Sequence, residues 1–237
     1  MILVKKMLPQ LKNELRSKSN PEKAKLLSRY FKTGPGEYGE GDVFLGVVVP
    51  EQRKIAKKFK ELSLIELQGL LESKIHEERL TALLILVEQY EKAENKKKEE
   101  LAHFYLRNTK NVNNWDLVDS SAHKILGDFL LEGDKAILLK LAGSKDLWER
   151  RIAVISTFTF INQNKFDYSL KIAEMLLFDT KDLIHKAVGW MLREVGKKDL
   201  KAEEEFLQKH YRQMPRTMLR YAIEKFPEEK RELYLKR

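Results

Sequence analysis

The chain has 237 residues, enough to bury a substantial core, and carries 45 Lys and Arg against 36 Asp and Glu, a net charge of +9 with a pI near 9.4. Hydrophobic residues make up 43% and charged residues 34%, with only 11 Gly and 6 Pro, a balance that favours helices over strands, while the positive excess suits a polyanionic partner without demonstrating one. Cysteine is absent, so disulfides, zinc–cysteine sites, cysteine-ligated iron–sulfur clusters and cysteine alkyl-acceptor chemistry are excluded.

The apolar run Met1-Ile2-Leu3-Val4 is too short for a signal peptide and is broken by Lys5-Lys6, and no later stretch approaches a membrane span, so a soluble cytoplasmic protein is expected. Residues 3–18 alternate apolar and charged positions at helical period, and after Ser17-Lys18-Ser19-Asn20 a second helix starts at Pro21, carrying Lys23, Lys25, Arg29 and Tyr30. It ends before Thr33–Asp42, a glycine-rich loop. No Gly-Lys-Ser or Gly-Lys-Thr follows its glycines, which argues against a nucleotide P-loop. Val43–Val49 is strand-like but short and isolated, so it reads as an extended connector packed on helices, with Pro50 opening the next helix. That helix sets Arg53, Lys54, Lys57, Lys58 and Lys60 around Ile55, Ala56 and Phe59; a solvated charge face is at least as good a reading as phosphate contact.

From Leu64 onward a repeat emerges. Segments beginning at Glu78, Asn114, Glu149, Ile184 and Thr217 align with spacings of about 33 to 36 residues, and shorter helices are expected between them at 64–73, 96–108, 134–143, 165–178 and 200–211. The tetratricopeptide period is close, but its tryptophan, leucine-glycine and tyrosine pattern is missing. The expected architecture is therefore all-α, a curved α-solenoid of HEAT-like antiparallel helix pairs forming a single domain over 1–237, closed by Leu233–Arg237 as a helix end or tail.

The central stretch is Asn113-Asn114-Trp115-Asp116-Leu117-Val118-Asp119. Asn113 or Asn114 suits an N-cap, Asp116 complements the helix dipole, and Leu117, Val118, Ile125, Leu126 and Phe129 can form the buried stripe. Trp115 and Asp119 stand one turn apart on a shared face. Asp119 lies beyond the capping turn, which leaves a salt bridge or a working carboxylate. His76-Glu77-Glu78-Arg79-Leu80 begins like a zinc-protease motif, but Leu80 replaces the second His, and no other ligand spacing, Gly-x-Ser-x-Gly elbow or singled-out lysine nucleophile is present. No metal or cofactor is expected.

The run Trp115–Asp119 with Gly127-Asp128-Phe129-Leu130 resembles the central motif of the AlkD family of DNA alkylation repair glycosylases. Leu147–Ala153 is similar to that family's arginine-bearing helix, and Ile184–Glu194 to its second tryptophan helix; with Arg29-Tyr30 the similarity runs from about Asn20 to about Phe226. Where family members can carry aromatic residues just before the last of these helices, this chain has Asp182-Leu183. The resemblance implies HEAT-like repeats, duplex DNA as partner and hydrolysis of the N-glycosidic bond of cationic N3- or N7-alkylated purines, the family leaving the base in the stack.

By the same resemblance Asp119, Trp115 and Trp190 are the catalytic candidates, and Arg151 and Tyr30 the DNA-binding ones. Equivalent places on successive repeat helices project toward one surface, so these residues can converge. On periodicity alone a Trp is core by default; the resemblance moves Trp115 and Trp190 to the lesion-facing side and leaves Trp148 as packing. Arg151 can hold a phosphate or pair with Asp119. A monomer is expected. The alternative function is a non-catalytic HEAT-like module that binds DNA or protein, against which stands Asp119: a phosphate-binding surface gains nothing from an unneutralised carboxylate.

Overall fold

The computed structural model describes residues 7–236, and these are all-helical apart from loops and one isolated bridge between Val43 and Ile75. The first four residues of the helix expected over 3–18, the Met1–Lys6 run and Arg237 lie outside the described residues. Internal contacts divide the chain into two compact units, one ending at Ser121 and one beginning at Ala122.

The first unit contains α1 (Met7–Ser17), α2 (Pro21–Tyr30), α3 (Val49–Lys58), α4 (Leu64–Leu71), α5 (His76–Lys92), α6 (Asn95–Arg107) and most of α7 (Trp115–Ala122). Its centre is α5, against which α1, α3, α4 and α6 pack. This helix is buried over most of its length, including its polar first turn. Helix starts are set where the sequence places cap residues: Asn20 Oδ1 accepts from the Lys23 amide at 2.9 Å, and Ser63 with Glu66 forms a reciprocal capping box. The strand-like run is an extended connector, as read from the sequence. Its backbone is held by Glu77, whose carboxylate accepts from the amides of Leu45, Gly46 and Val47 at 2.8 to 3.2 Å.

The second unit continues α7 through a π-helical segment, His123–Gly127, into α8 (Asp128–Leu130). There follow α9 (Ala136–Ala142), α10 (Leu147–Asn162), α11 (Asp167–Met175), α12 (Asp182–Lys198), α13 (Leu200–His210), α14 (Arg216–Ala222) and α15 (Glu228–Leu235). The π segment, α10, α12 and α14 pack each on the next, while α9, α11 and α13 lie against the long helices next to them in the chain, so each pair buries its apolar side on its neighbour. The ending read as a helix end or tail is α15 as far as Leu235.

The stripe expected on the central helix needs one correction. Leu117, Val118, Ile125 and Leu126 are fully buried, but Phe129 is only partly so and Leu130 takes the core position. The π segment adds a residue to the turn and rotates everything after it. That segment exists because α10 comes close: a Cβ on Gly127 would lie 2.4 Å from the Ser156 carbonyl oxygen, and the Thr159 hydroxyl donates to the His123 carbonyl at 2.5 Å.

Candidate functional site

Trp115 begins α7, and its position is determined from both sides of the chain. Asn114, fully buried, accepts the Trp115 amide on its side-chain oxygen at 2.8 Å and the Val118 amide on its backbone carbonyl at 3.1 Å, which makes it the N-cap. The indole is half-buried. One face stacks on Phe31 with ring centroids 5.2 Å apart and planes within 8°, and Tyr30 meets it edge-on at 5.9 Å. Tyr30 itself is 65% exposed, and its carbonyl accepts from the Tyr38 hydroxyl of the glycine-rich loop at 3.4 Å. The result is an open aromatic corner of Tyr30 and Trp115 backed by Phe31.

Beneath this corner lies an ionic network that neither helical period nor motif matching singles out. His76, at the start of α5, sits between two carboxylates: Nδ1 is 3.0 Å from Asp42 Oδ2 and Nε2 is 2.8 Å from Asp116 Oδ2. Arg79 donates to the other Asp42 oxygen at 2.6 Å, and the Asn114 amide donates to Asp42 at 3.3 Å. The His76 ring stacks on Phe44 at 4.6 Å and meets Phe31 at a tilt at 4.9 Å, the two phenyl rings being 5.1 Å apart. Burial and Arg79 oppose charge on His76, but the Asp116 and Asp42 carboxylates outweigh them and push its pKa up to about 8. Burial likewise works against the Asp42 carboxylate, yet His76 and Arg79 hold it below the usual range. Asp116 thus does more than complement the helix dipole.

Asp119 is half-buried one turn beyond Trp115, a rise of about 6 Å along the helix. Next to it in the interior is Tyr105, fully buried, whose hydroxyl accepts from Ser121 Oγ at 3.1 Å. Burial raises the Tyr105 pKa, and the Asp119 charge raises it further. Trp115, Tyr30 and Asp119 therefore belong to one unit of the molecule and, for the first two, to one contact.

Arg151 and Trp190 belong to the second unit. Arg151 on α10 is 5% exposed, with a guanidinium nitrogen donating to the Leu183 carbonyl at 2.6 Å, so it ties α10 to the first turn of α12. Its neighbour Arg150 bonds Asp179 at 2.6 Å and the Ser144 and Lys145 carbonyls at 3.0 Å, fixing the loops at that end of α10. Trp190 on α12 is half-buried; its Nε1 donates to Glu194 at 3.1 Å, and its ring approaches Phe158 at 6.0 Å, which in turn meets His123 edge-on. Trp148 is 7% exposed and belongs to the core.

The basic face of α3 is exposed at Arg53, Lys54, Lys57 and Lys58, though Lys54 pairs with Glu51 and Lys58 with Glu14, both at 2.6 Å; Lys60, expected on the same helix, is exposed in the turn beyond its end. Among the described residues no cluster of His, Asp and Glu has the arrangement of a metal site, and no helix is long and apolar enough to cross a membrane.

With the helical order, the aromatic corner and the nearby carboxylate in place, the comparisons with known proteins fall on the same class. The sequence model of the family described as "DNA alkylation repair enzyme" matches residues 11–226, and the chain belongs to that family. Among solved structures, a predicted DNA alkylation repair enzyme from Enterococcus faecalis is similar with a TM-score of 0.69 at 18% identity, covering 89% of this chain and 98% of its own. The structure of smu.31 from Streptococcus mutans UA159 is similar with a TM-score of 0.53, also at 18% identity, covering 93% of this chain and 98% of its own. At that identity these likenesses speak for the fold. No curated protein matches the chain significantly.

Proposed function

We propose that the protein is a monofunctional DNA glycosylase of the AlkD type, built from HEAT-like repeats as one domain over 1–237, that hydrolyses the N-glycosidic bond of cationic N3- or N7-alkylated purines in duplex DNA. The observation that carries this reading is the open Tyr30–Trp115 corner with the Asp119 carboxylate one turn along the same helix. A cationic purine is already a good leaving group, so catalysis chiefly requires stabilising positive charge on the sugar and placing a water. Asp119 supplies negative charge and a hydrogen-bond acceptor for that water, and the faces of Trp115 and Trp190 favour adjacent cationic character. Tyr30 contributes an exposed ring and hydroxyl toward the DNA backbone.

Arg151 is proposed to act on a phosphate near the lesion. Its bond to the Leu183 carbonyl anchors the guanidinium at the first turn of α12. The protein is proposed to work as a cytoplasmic monomer without metal or cofactor. Incubation with duplex DNA bearing an alkylated purine, followed by measurement of free base, tests the reading. Release that depends on Asp119 supports it; tight binding without release would make the protein a DNA-binding module instead.

A further inference from the structure

We propose that His76 is the positioning residue of the site: as a doubly protonated imidazolium bridging Asp42 and Asp116, it locks the start of α7 and thereby the orientation of the Trp115 indole. The inference rests on the proposed function only for what the positioned indole does, not for the positioning itself.

The geometry has an acceptor in place for a proton on each ring nitrogen. Each ring nitrogen lies within hydrogen-bond distance of a carboxylate oxygen, and an ionised carboxylate can only accept. A neutral imidazole would turn one lone pair toward an oxygen. The charged groups facing the ring are Asp42 from the loop before the connector, Arg79 from its own helix and Asp116 from α7; Phe31 after α2 and Phe44 from the connector pack against it and against each other. The adjacent acids point elsewhere, Glu77 to the connector amides and Glu78 to Lys12 and Arg16 of α1. His76 with its partners is therefore a closed unit of two carboxylates and two cations.

Two routes lead from this ring to Trp115. Asp116 is the next residue, its second oxygen accepting the Leu117 amide at 2.8 Å, so the imidazolium grips the first turn of α7 directly. The other route is the aromatic row, His76 tilted against Phe31 and Phe31 stacked on Trp115. Loss of the proton breaks one carboxylate bond and removes the cation from the aromatic row, loosening both routes at once. The sign for stability follows. The folded pKa is raised above the unfolded value near 6.5, so the contribution is full below that pH and is lost as pH rises through about 8.

The test is an NMR titration of the 15N-labelled protein from pH 6 to 9.5, following the His76 ring nitrogens and the Trp115 indole N–H, the latter assigned by its loss in Trp115→Phe. The expected result is both ring nitrogens protonated at pH 7 and a Trp115 resonance that shifts in step with His76. Asp116→Asn, which removes one of the supporting charges, is expected to move both transitions to lower pH together. Single-turnover base release should fall by about tenfold across the wild-type transition and be about tenfold lower in His76→Gln at pH 7, with duplex affinity within about twofold. A neutral His76 at pH 7, or a Trp115 resonance indifferent to its titration, overturns the inference. Absence of base release by the wild-type protein would instead count against the glycosylase reading, and the Trp115 resonance would still decide the role of His76. Should His76→Gln not fold, the wild-type titration alone decides between these outcomes.

Discussion

Two indoles at helix starts differ in burial at the residue scale. Trp148 is enclosed by the second unit, and Trp148→Ala should cost about 3–5 kcal/mol, visible as a large fall in melting temperature. Trp115 is half-buried and Trp190 likewise, so replacing either by Ala should cost less, about 1–2 kcal/mol, while single-turnover base release falls by about a hundredfold. Thermal unfolding and excision measured together under one condition check this. If all three variants melt equally early, Trp115 and Trp190 are core residues and the proposed active surface is misplaced. The spacing of Trp115 and Asp119 was legible because helical period alone places i and i+4 on one face. The ring beneath them was not: His76 lies 34 residues from Asp42 and 40 from Asp116, and only tertiary packing turns a failed zinc-like motif into an ion bridge.

At the scale of elements, helix positions follow from apolar period and caps, which is why the short helices expected between the repeats appear close to their expected ranges. The π segment at His123–Gly127 was hidden because its residues are ordinary helix residues; what creates it is the approach of α10 to Gly127. Gly127→Ala should therefore force the Ser156 backbone away and destabilise the protein by about 1–3 kcal/mol, measurable by thermal or denaturant unfolding. Unchanged stability would mean that the close approach is soft. The connector offers a second case. Gly46 has φ +83° and a Cβ there would meet the Asn20 carbonyl oxygen at 2.1 Å, so glycine is required twice over, by conformation and by contact. Glu77→Gln should loosen the same segment, since it substitutes an amide for a carboxylate that accepts three backbone amides; a loss of about 1–3 kcal/mol in an unfolding experiment is expected, and no loss would show that the connector is held by its apolar contacts alone.

For the whole molecule, charge and family membership point to the same partner. The net charge of +9 and the exposed basic face of α3 should make duplex binding weaken steeply with salt, with log affinity linear in log salt concentration. A flat dependence would indicate a protein-binding scaffold. Composition anticipated the all-helical class, and the ordered motifs anticipated the DNA alkylation repair family, but neither could supply the distances on which catalysis depends. The most direct measurement is single-turnover release of free base from a duplex carrying one N7-alkylated purine, comparing the native protein with Asp119→Asn. Expected are release by the native protein, a loss of about a hundredfold or more in the variant, and duplex affinity equal or slightly tighter, because the change removes a negative charge while keeping its shape. Near-normal release by Asp119→Asn, or none by the native protein, would contradict this expectation.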